Sequence, residues 1–222
     1  FRGAQTVHAV NGVSLTLEPG QVLGVVGESG SGKSVTLKTL LRLLPESRTD
    51  IGGGVRVDGR DVLALNPQDL ADYRGAVTSM IFQDPALALD PVYTVGQQIA
   101  EAIIRHESIS AKAAMARALE LLELVRIPSP ERRLKAYPHE MSGGMRQRAM
   151  IALALAARPK LLLADEPTTA LDATVQIQIL LLLRQLQRDL GMGMLFVTHD
   201  IGVAVEVSDR LAVMYAGQIV ET

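Results

Sequence analysis

The chain has 222 residues, enough for one large α/β domain or a core carrying an inserted subdomain. Its net charge of −2 lacks the basic excess typical of nucleic-acid binders, and the absence of cysteine excludes disulfides and thiolate metal sites. The longest uninterrupted apolar runs, residues 149–157 and 179–183, fall well short of the roughly 20 residues that cross a bilayer, and no secretory leader is visible.

The first residue is Phe1 rather than Met, and it sits inside what reads as a strand, so the chain reads as a piece of a longer polypeptide. Residues 7–17 (VHAVNGVSLTL) and 21–26 (QVLGVV) read as strands, the second apolar on both faces as in a buried parallel sheet. Directly after it comes GESGSGKS at 27–34, which fits Gly-x-x-x-x-Gly-Lys-Ser between a strand and a helix. Glycines let backbone N–H groups converge on phosphate oxygens, and the dipole of the following helix favours the same anion. Lys33 would reach the β- and γ-phosphates and Ser34 would bind Mg²⁺, with Gly27, Glu28, Ser29, Gly30, Ser31, Gly32 and Val35 completing the nucleotide grip. The helix that follows is expected to run until Pro45.

A third strand is expected at 77–82, with Gln83 just beyond it. From 94 to 158 no strand pattern occurs. Helical periodicity begins after Thr94 and again after Ser110, each a plausible N-cap. This interval reads as an all-helical subdomain (94–158) inserted between two parts of an α/β core, 1–93 and 159–222. Near its end Ser142, Gly143 and Gly144 precede a helix-forming stretch, a second arrangement suited to an anion. The basic run 145–148 with Arg158 is compatible with an anion surface but reads in preference as the solvated face of that helix.

Strand patterns resume at 160–165, ending in Asp165 and Glu166. An acid at the end of a buried strand can hold the hydration shell of Mg²⁺, and a carboxylate next to it can orient or deprotonate water. A long helix is expected after Asp172 and closes at Gly191. Strands at 193–199 and 211–216 complete the set, and His199 stands at the end of the first. Gln83 and His199 taken singly are ordinary strand-end residues. With the phosphate loop, Asp165 and Glu166 they fall at one end of a parallel sheet, where open α/β sheets bind ligands.

In the order of phosphate loop, glutamine, Ser-Gly-Gly, Asp-Glu, Ala-Leu-Asp and histidine, the chain resembles the ATP-binding domains of ABC transporters. The stretches GVVGESGSGKSVT, MIFQDPALALDPVYTVGQQI, YPHEMSGGMRQRAMIALALAARPKLLLADEPTTALD and THDIGVAVEVSDRLAVMYAGQIVE make it similar to the oligopeptide and dipeptide importer branch, which also serves nickel and glutathione. The resemblance implies a P-loop core with a mostly parallel sheet, an antiparallel β region and an inserted helical subdomain. It implies ATP and Mg²⁺ as ligands, a second ATPase subunit, transmembrane permease subunits, and indirectly an extracytoplasmic solute-binding protein. The place of action would be the cytoplasmic face of the membrane. By the same resemblance Ser34, Gln83 and Asp165 stand on the magnesium side, Glu166 is the catalytic carboxylate and His199 the γ-phosphate switch. Ser142, Gly143 and Gly144 would face nucleotide held by the opposite subunit, and Asp172 would tie the two sites together.

Met141 and Met145 replace the leucine and glutamine that usually flank Ser-Gly-Gly in this family. Phe1, the sole aromatic before Gly27, is either the residue that stacks on adenine or a strand residue without a ligand contact. Two other function classes fit the sequence less well. A non-transport relative acting on nucleic acid or ribosomes conflicts with the acidic balance and with the absence of heptads between the motifs. A GTPase or other phosphotransferase lacks a guanine-reading Asn-Lys-x-Asp and leaves Ser-Gly-Gly without a role.

Overall fold

The computed structural model of the chain describes residues 6–222. Strand β1 (Val22–Val26) is buried at every position and feeds helix α1 (Lys33–Leu40). A short antiparallel ribbon, β2 (Arg56–Val57) and β3 (Arg60–Asp61), and helix α2 (Pro67–Ala76) lead to β4 (Thr78–Ile81). Four helices follow: α3 (Val95–His106), α4 (Ala111–Leu124), α5 (Pro130–Leu134) and α6 (Gly143–Leu155). The chain then returns through β5 (Leu161–Asp165), α7 (Ala173–Leu190), β6 (Gly193–Thr198), α8 (Ile201–Val207), β7 (Arg210–Tyr215) and β8 (Gln218–Glu221).

Six strands form one sheet in the order β4-β5-β6-β1-β7-β8, parallel throughout except for the antiparallel pair β7–β8. Side-chain alternation divides the core between the two faces. Met194 and Phe196 of β6, with Leu162 and Ala164 of β5, pack into a cluster shared with α3, α4, α6 and α7. Leu195 and Val197, with Leu163 of β5 and Leu23 and Val25 of β1, enter a second cluster with Leu37 of α1 and Tyr73 of α2. Helices cover both faces, which explains why these strands are apolar at successive positions.

Caps set the helix starts. Thr94 accepts the Gln97 amide while the Gln97 side chain accepts the Thr94 amide, and Ser110 accepts the Ala113 amide at 3.2 Å. No strand falls within 94–158. The far end of α7 closes at Gly191, whose φ of 63° suits a glycine.

Two expectations are corrected. Among the described residues, 8–17 belong to no strand: Val10, Val13, Leu15 and Leu17 pack on the second cluster, and the Asn11 amide donates to the Gly217 carbonyl at 2.7 Å. Their apolar alternation records a half-buried face packed on the core. Helix α1 ends at Leu40 instead of continuing to Pro45. Arg42 adopts a left-handed φ of 48° there, and the Tyr73 hydroxyl and Arg74 guanidinium donate to the carbonyls of Leu40, Leu41 and Arg42. Phe1 lies outside the described residues.

At the end of the sheet remote from the phosphate loop, Asp209 binds the start of β1 to α7. One carboxylate oxygen accepts the Val22 amide at 2.8 Å and Arg184 Nη1 at 3.1 Å, while the other accepts Arg184 Nη2. The Arg184 hydrogen bond holds the Asp209 carboxyl below the usual carboxylate range. Replacing Asp209 with Ala is expected to cost about 1–2 kcal/mol in chemical denaturation at neutral pH. A depressed folded-state pKa gives stability that is complete above the unfolded aspartate value of about 3.9 and is lost as pH falls through the folded value. The difference between parent and variant should therefore shrink only in that acid range, measured by denaturant midpoints across pH.

Candidate nucleotide site

The loop between β1 and α1 has a shape only glycine allows at two places. A Cβ on Gly27 would lie 2.1 Å from the Met214 carbonyl oxygen. Gly32 has a φ of 105°, and its Cβ would lie 2.4 Å from the Ala9 carbonyl oxygen. Gly32 is also the N-cap of α1 and brings no side chain to cover the first amides of the helix. Those orphan N–H groups therefore remain available to an anion.

Around this loop opens a cleft of about 830 Å³. Every residue from 27 to 35 except Ser31 lines it, together with Gln83, Glu166 and His199. Ser31 is buried, its Oγ 3.5 Å from Lys33 Nζ. The ends of β1, β4, β5 and β6 thus deliver their polar residues to one opening, as parallel strands with a common carboxyl end require.

Lys33 is 4% exposed and donates to the carbonyls of Gly27 at 2.7 Å and Glu28 at 2.8 Å. Burial pushes its ammonium below the usual lysine range, while Glu166 and Asp165 pull the other way. Asp165 sits behind the cleft and accepts the Ser34 hydroxyl at 2.7 Å. Burial pushes the Asp165 carboxyl up, opposed by the Ser34 hydrogen bond and by Lys38 and Lys33. A hydroxyl and a carboxylate side by side, with Gln83 at the rim, form the oxygen-rich set that Mg²⁺ prefers.

Glu166 is held from several directions. Its backbone has a φ of 45°, a left-handed value costly for a side chain of this kind, and its amide donates to the Val197 carbonyl at 2.9 Å. Oε1 lies 4.0 Å from Lys33 Nζ. Oε2 lies 2.9 Å from His199 Nδ1 and accepts the Thr169 hydroxyl at 3.0 Å.

The segment 142–144 is elsewhere. Ser142 is exposed and caps α6 by accepting the Met145 amide at 3.3 Å, and none of the three residues lines the cleft. A Cβ on Gly144 would lie 2.8 Å from Val175 Cγ1, so the start of α6 packs closely on α7. Met141 is buried in the first core cluster and Met145 packs against it, which accounts for apolar residues at both flanking places. Asp172 is the N-cap of α7, accepting the Val175 amide at 3.0 Å, and also stands outside the cleft.

Sequence reasoning missed Thr169 and Tyr215, both of which line the cleft. Thr169 lay in view inside DEPTTALD, but only the turn after β5 shows that it reaches Glu166. Tyr215 ends β7 and is exposed at the rim, an orientation that apolar patterning does not reveal.

The family model of the ABC transporter matches residues 10–169, most of the chain, including the phosphate loop, Gln83, Ser-Gly-Gly and Asp165-Glu166 but not Asp172 or His199. The chain belongs to the ABC transporter family. As a cassette of that family it is 53% identical over 217 residues to the oligopeptide transport ATP-binding protein OppD of Bacillus subtilis (strain 168), covering 97% of this chain and 61% of that protein. It is 50% identical over 228 residues to the glutathione import ATP-binding protein GsiA of Escherichia coli O157:H7, covering 98% of this chain and 36% of that protein. The chain thus spans less than two thirds of either relative. Among solved structures, the ATP-binding cassette MJ0796, in a dimeric post-hydrolysis state bound to ADP and Pi, superposes with a TM-score of 0.87. It shares 30% identity, and the match covers 100% of this ABC cassette and 92% of that one.

Proposed function

We propose that the chain is the ATP-hydrolysing cassette of an importer that drives peptides or similar small solutes through partner membrane subunits. The observation that carries the ATPase reading is the convergence of Lys33, the Ser34–Asp165 pair and Glu166 on one cleft at the carboxyl ends of β1 and β5. The names and identities of the oligopeptide and glutathione relatives support the solute class.

In this reading Lys33 exchanges its carbonyl partners at Gly27 and Glu28 for the β- and γ-phosphates, and the loop amides complete the grip. Ser34, Asp165 and Gln83 would hold Mg²⁺, which would offset the charge on the phosphate oxygens. Glu166 orients the attacking water and takes its proton, and His199 contacts the γ-phosphate from the neighbouring strand end. The segment 142–144 lies outside its own cleft, which supports its serving nucleotide held by a second cassette, with Asp172 at the same contact.

Residues 94–158 are the helical arm that, with Gln83, carries the motion to the membrane subunits, between core parts 1–93 and 159–222. An extracytoplasmic solute-binding protein would feed the assembly from the other side, so the cassette would work at the cytoplasmic face. No described helix is long and apolar enough to cross a membrane.

The test is the dependence of Mg²⁺-ATP turnover on chain concentration. If two chains complete each site, the rate per chain rises with concentration until the dimer saturates. A rate per chain that stays constant on dilution removes the half-site reading, and no turnover at any concentration removes the ATPase reading.

A further inference from the structure

Glu166 needs a fixed direction if it is to orient water, and its side-chain contacts differ in how firmly they can fix it. The His199 side chain that touches Oε2 is 60% exposed, and Lys33 is 4.0 Å away, beyond hydrogen-bonding reach. One partner differs in kind. Thr169 is half-buried, lines the cleft, and donates its hydroxyl to Oε2 at 3.0 Å.

The backbone determines where that hydroxyl stands. The Thr169 amide donates to the Glu166 carbonyl at 3.1 Å, closing a tight turn directly after β5. Ala170 next to it is left-handed, with a φ of 66°, and the Leu171 amide donates to the Thr168 carbonyl at 3.3 Å. A β-branched side chain on such a turn has few rotamers to choose from. The hydroxyl is therefore presented to the carboxylate by two successive turns and not by a free side chain.

We propose that Thr169 is a positioning residue for Glu166. Its hydroxyl occupies one side of Oε2 and sets the carboxylate plane, leaving the remaining lone pairs directed into the cleft toward water. Because the same turn runs on to Asp172, a shift of that segment would move the hydroxyl and turn the carboxylate with it. The proposal rests on Glu166 acting as the hydrolytic carboxylate, and the experiment separates the two.

Thr169→Val keeps the shape of the side chain and removes the O–H, while Thr169→Ser keeps the O–H. Turnover is measured for the full chain with Mg²⁺-ATP, beside affinity for a fluorescent ATP analogue and the ¹⁵N side-chain spectrum of His199, whose Nδ1 touches the same oxygen. Thr169→Val is expected to lower kcat about tenfold, with KM and analogue affinity within about twofold, and Thr169→Ser to recover most of kcat. In a Glu166→Asp background, where the carboxylate is withdrawn by one methylene, Thr169→Val should add little further loss. The His199 resonances should move in Thr169→Val and return in Thr169→Ser. A Val variant with parental kcat, a Ser variant as impaired as Val, or a fully additive loss in the Glu166→Asp background overturns the proposal. If the parent chain fails to turn over ATP, the His199 spectrum decides: a shift in Val alone sustains the positioning role and leaves the ATPase reading to fall, and an unmoved spectrum ends the positioning role.

Discussion

Glu166→Gln is expected to reduce ATP turnover by about 10²–10⁴-fold while ATP affinity stays within about threefold of the parent. The substitution removes a charge and not a volume. The amide oxygen can still accept the Thr169 hydroxyl, and the backbone amide keeps its bond to the Val197 carbonyl. The phosphate grip depends on the loop, Lys33 and Ser34, none of which the change alters in shape. What disappears is an acceptor basic enough to take a proton from water. Nucleotide bound between two cassettes should then persist, so gel filtration with ATP should show a dimer that the parent forms only transiently. Single-turnover hydrolysis and analogue binding measure the two halves of the expectation separately. Parental turnover in the variant would remove Glu166 from its role, and a parallel loss of binding would make it a structural ligand of Lys33 instead.

The parts of the fold legible in the sequence were those that burial on both faces makes conspicuous. Strands β1, β4, β5, β6 and β7 each lie within a residue or two of the ends expected from apolar runs. Strands β1, β5 and β6 are buried along nearly their whole length and apolar at successive positions, whereas β7 exposes Arg210, Val213 and Tyr215 and is marked only by its apolar run. Thr94, Ser110 and Gly191 were legible because capping is local chemistry. Residues 7–17 misled for a physical reason: alternation reports one covered face, and packing of Val10, Val13, Leu15 and Leu17 on the second core cluster supplies that face whether or not a strand forms. The ribbon β2–β3 and the short helix α8 carry too few residues for a period to emerge. In the site, the residues joined by sequence motifs were found and the contacts among them were not. The Ser34–Asp165 hydrogen bond spans 131 positions, and the Glu166–His199 contact 33. Both depend on β5 lying beside β6 and close to the phosphate loop, an order that no local pattern encodes.

Ser142→Arg is expected to leave ATP binding by the isolated chain within about threefold of the parent and to abolish hydrolysis, a loss of more than about 10²-fold. Within one chain the serine caps α6 and touches nothing in the cleft. Loss of that cap costs about 1 kcal/mol, too little to unfold a domain stabilised by about 5–15 kcal/mol. Arg adds a long side chain and a charge at an exposed position, which the single chain tolerates. A facing cassette would not tolerate it, since the same position would then abut bound phosphates across a closed interface, and a guanidinium cannot fit where a hydroxyl and two glycines must approach. Ser142→Ala serves as the control, because it removes the cap without adding bulk, and it should lose far less turnover than Arg. Loss of ATP binding in the isolated Arg variant, or a Ser142→Ala variant as impaired in turnover as Arg, would assign the segment 142–144 to its own chain's nucleotide.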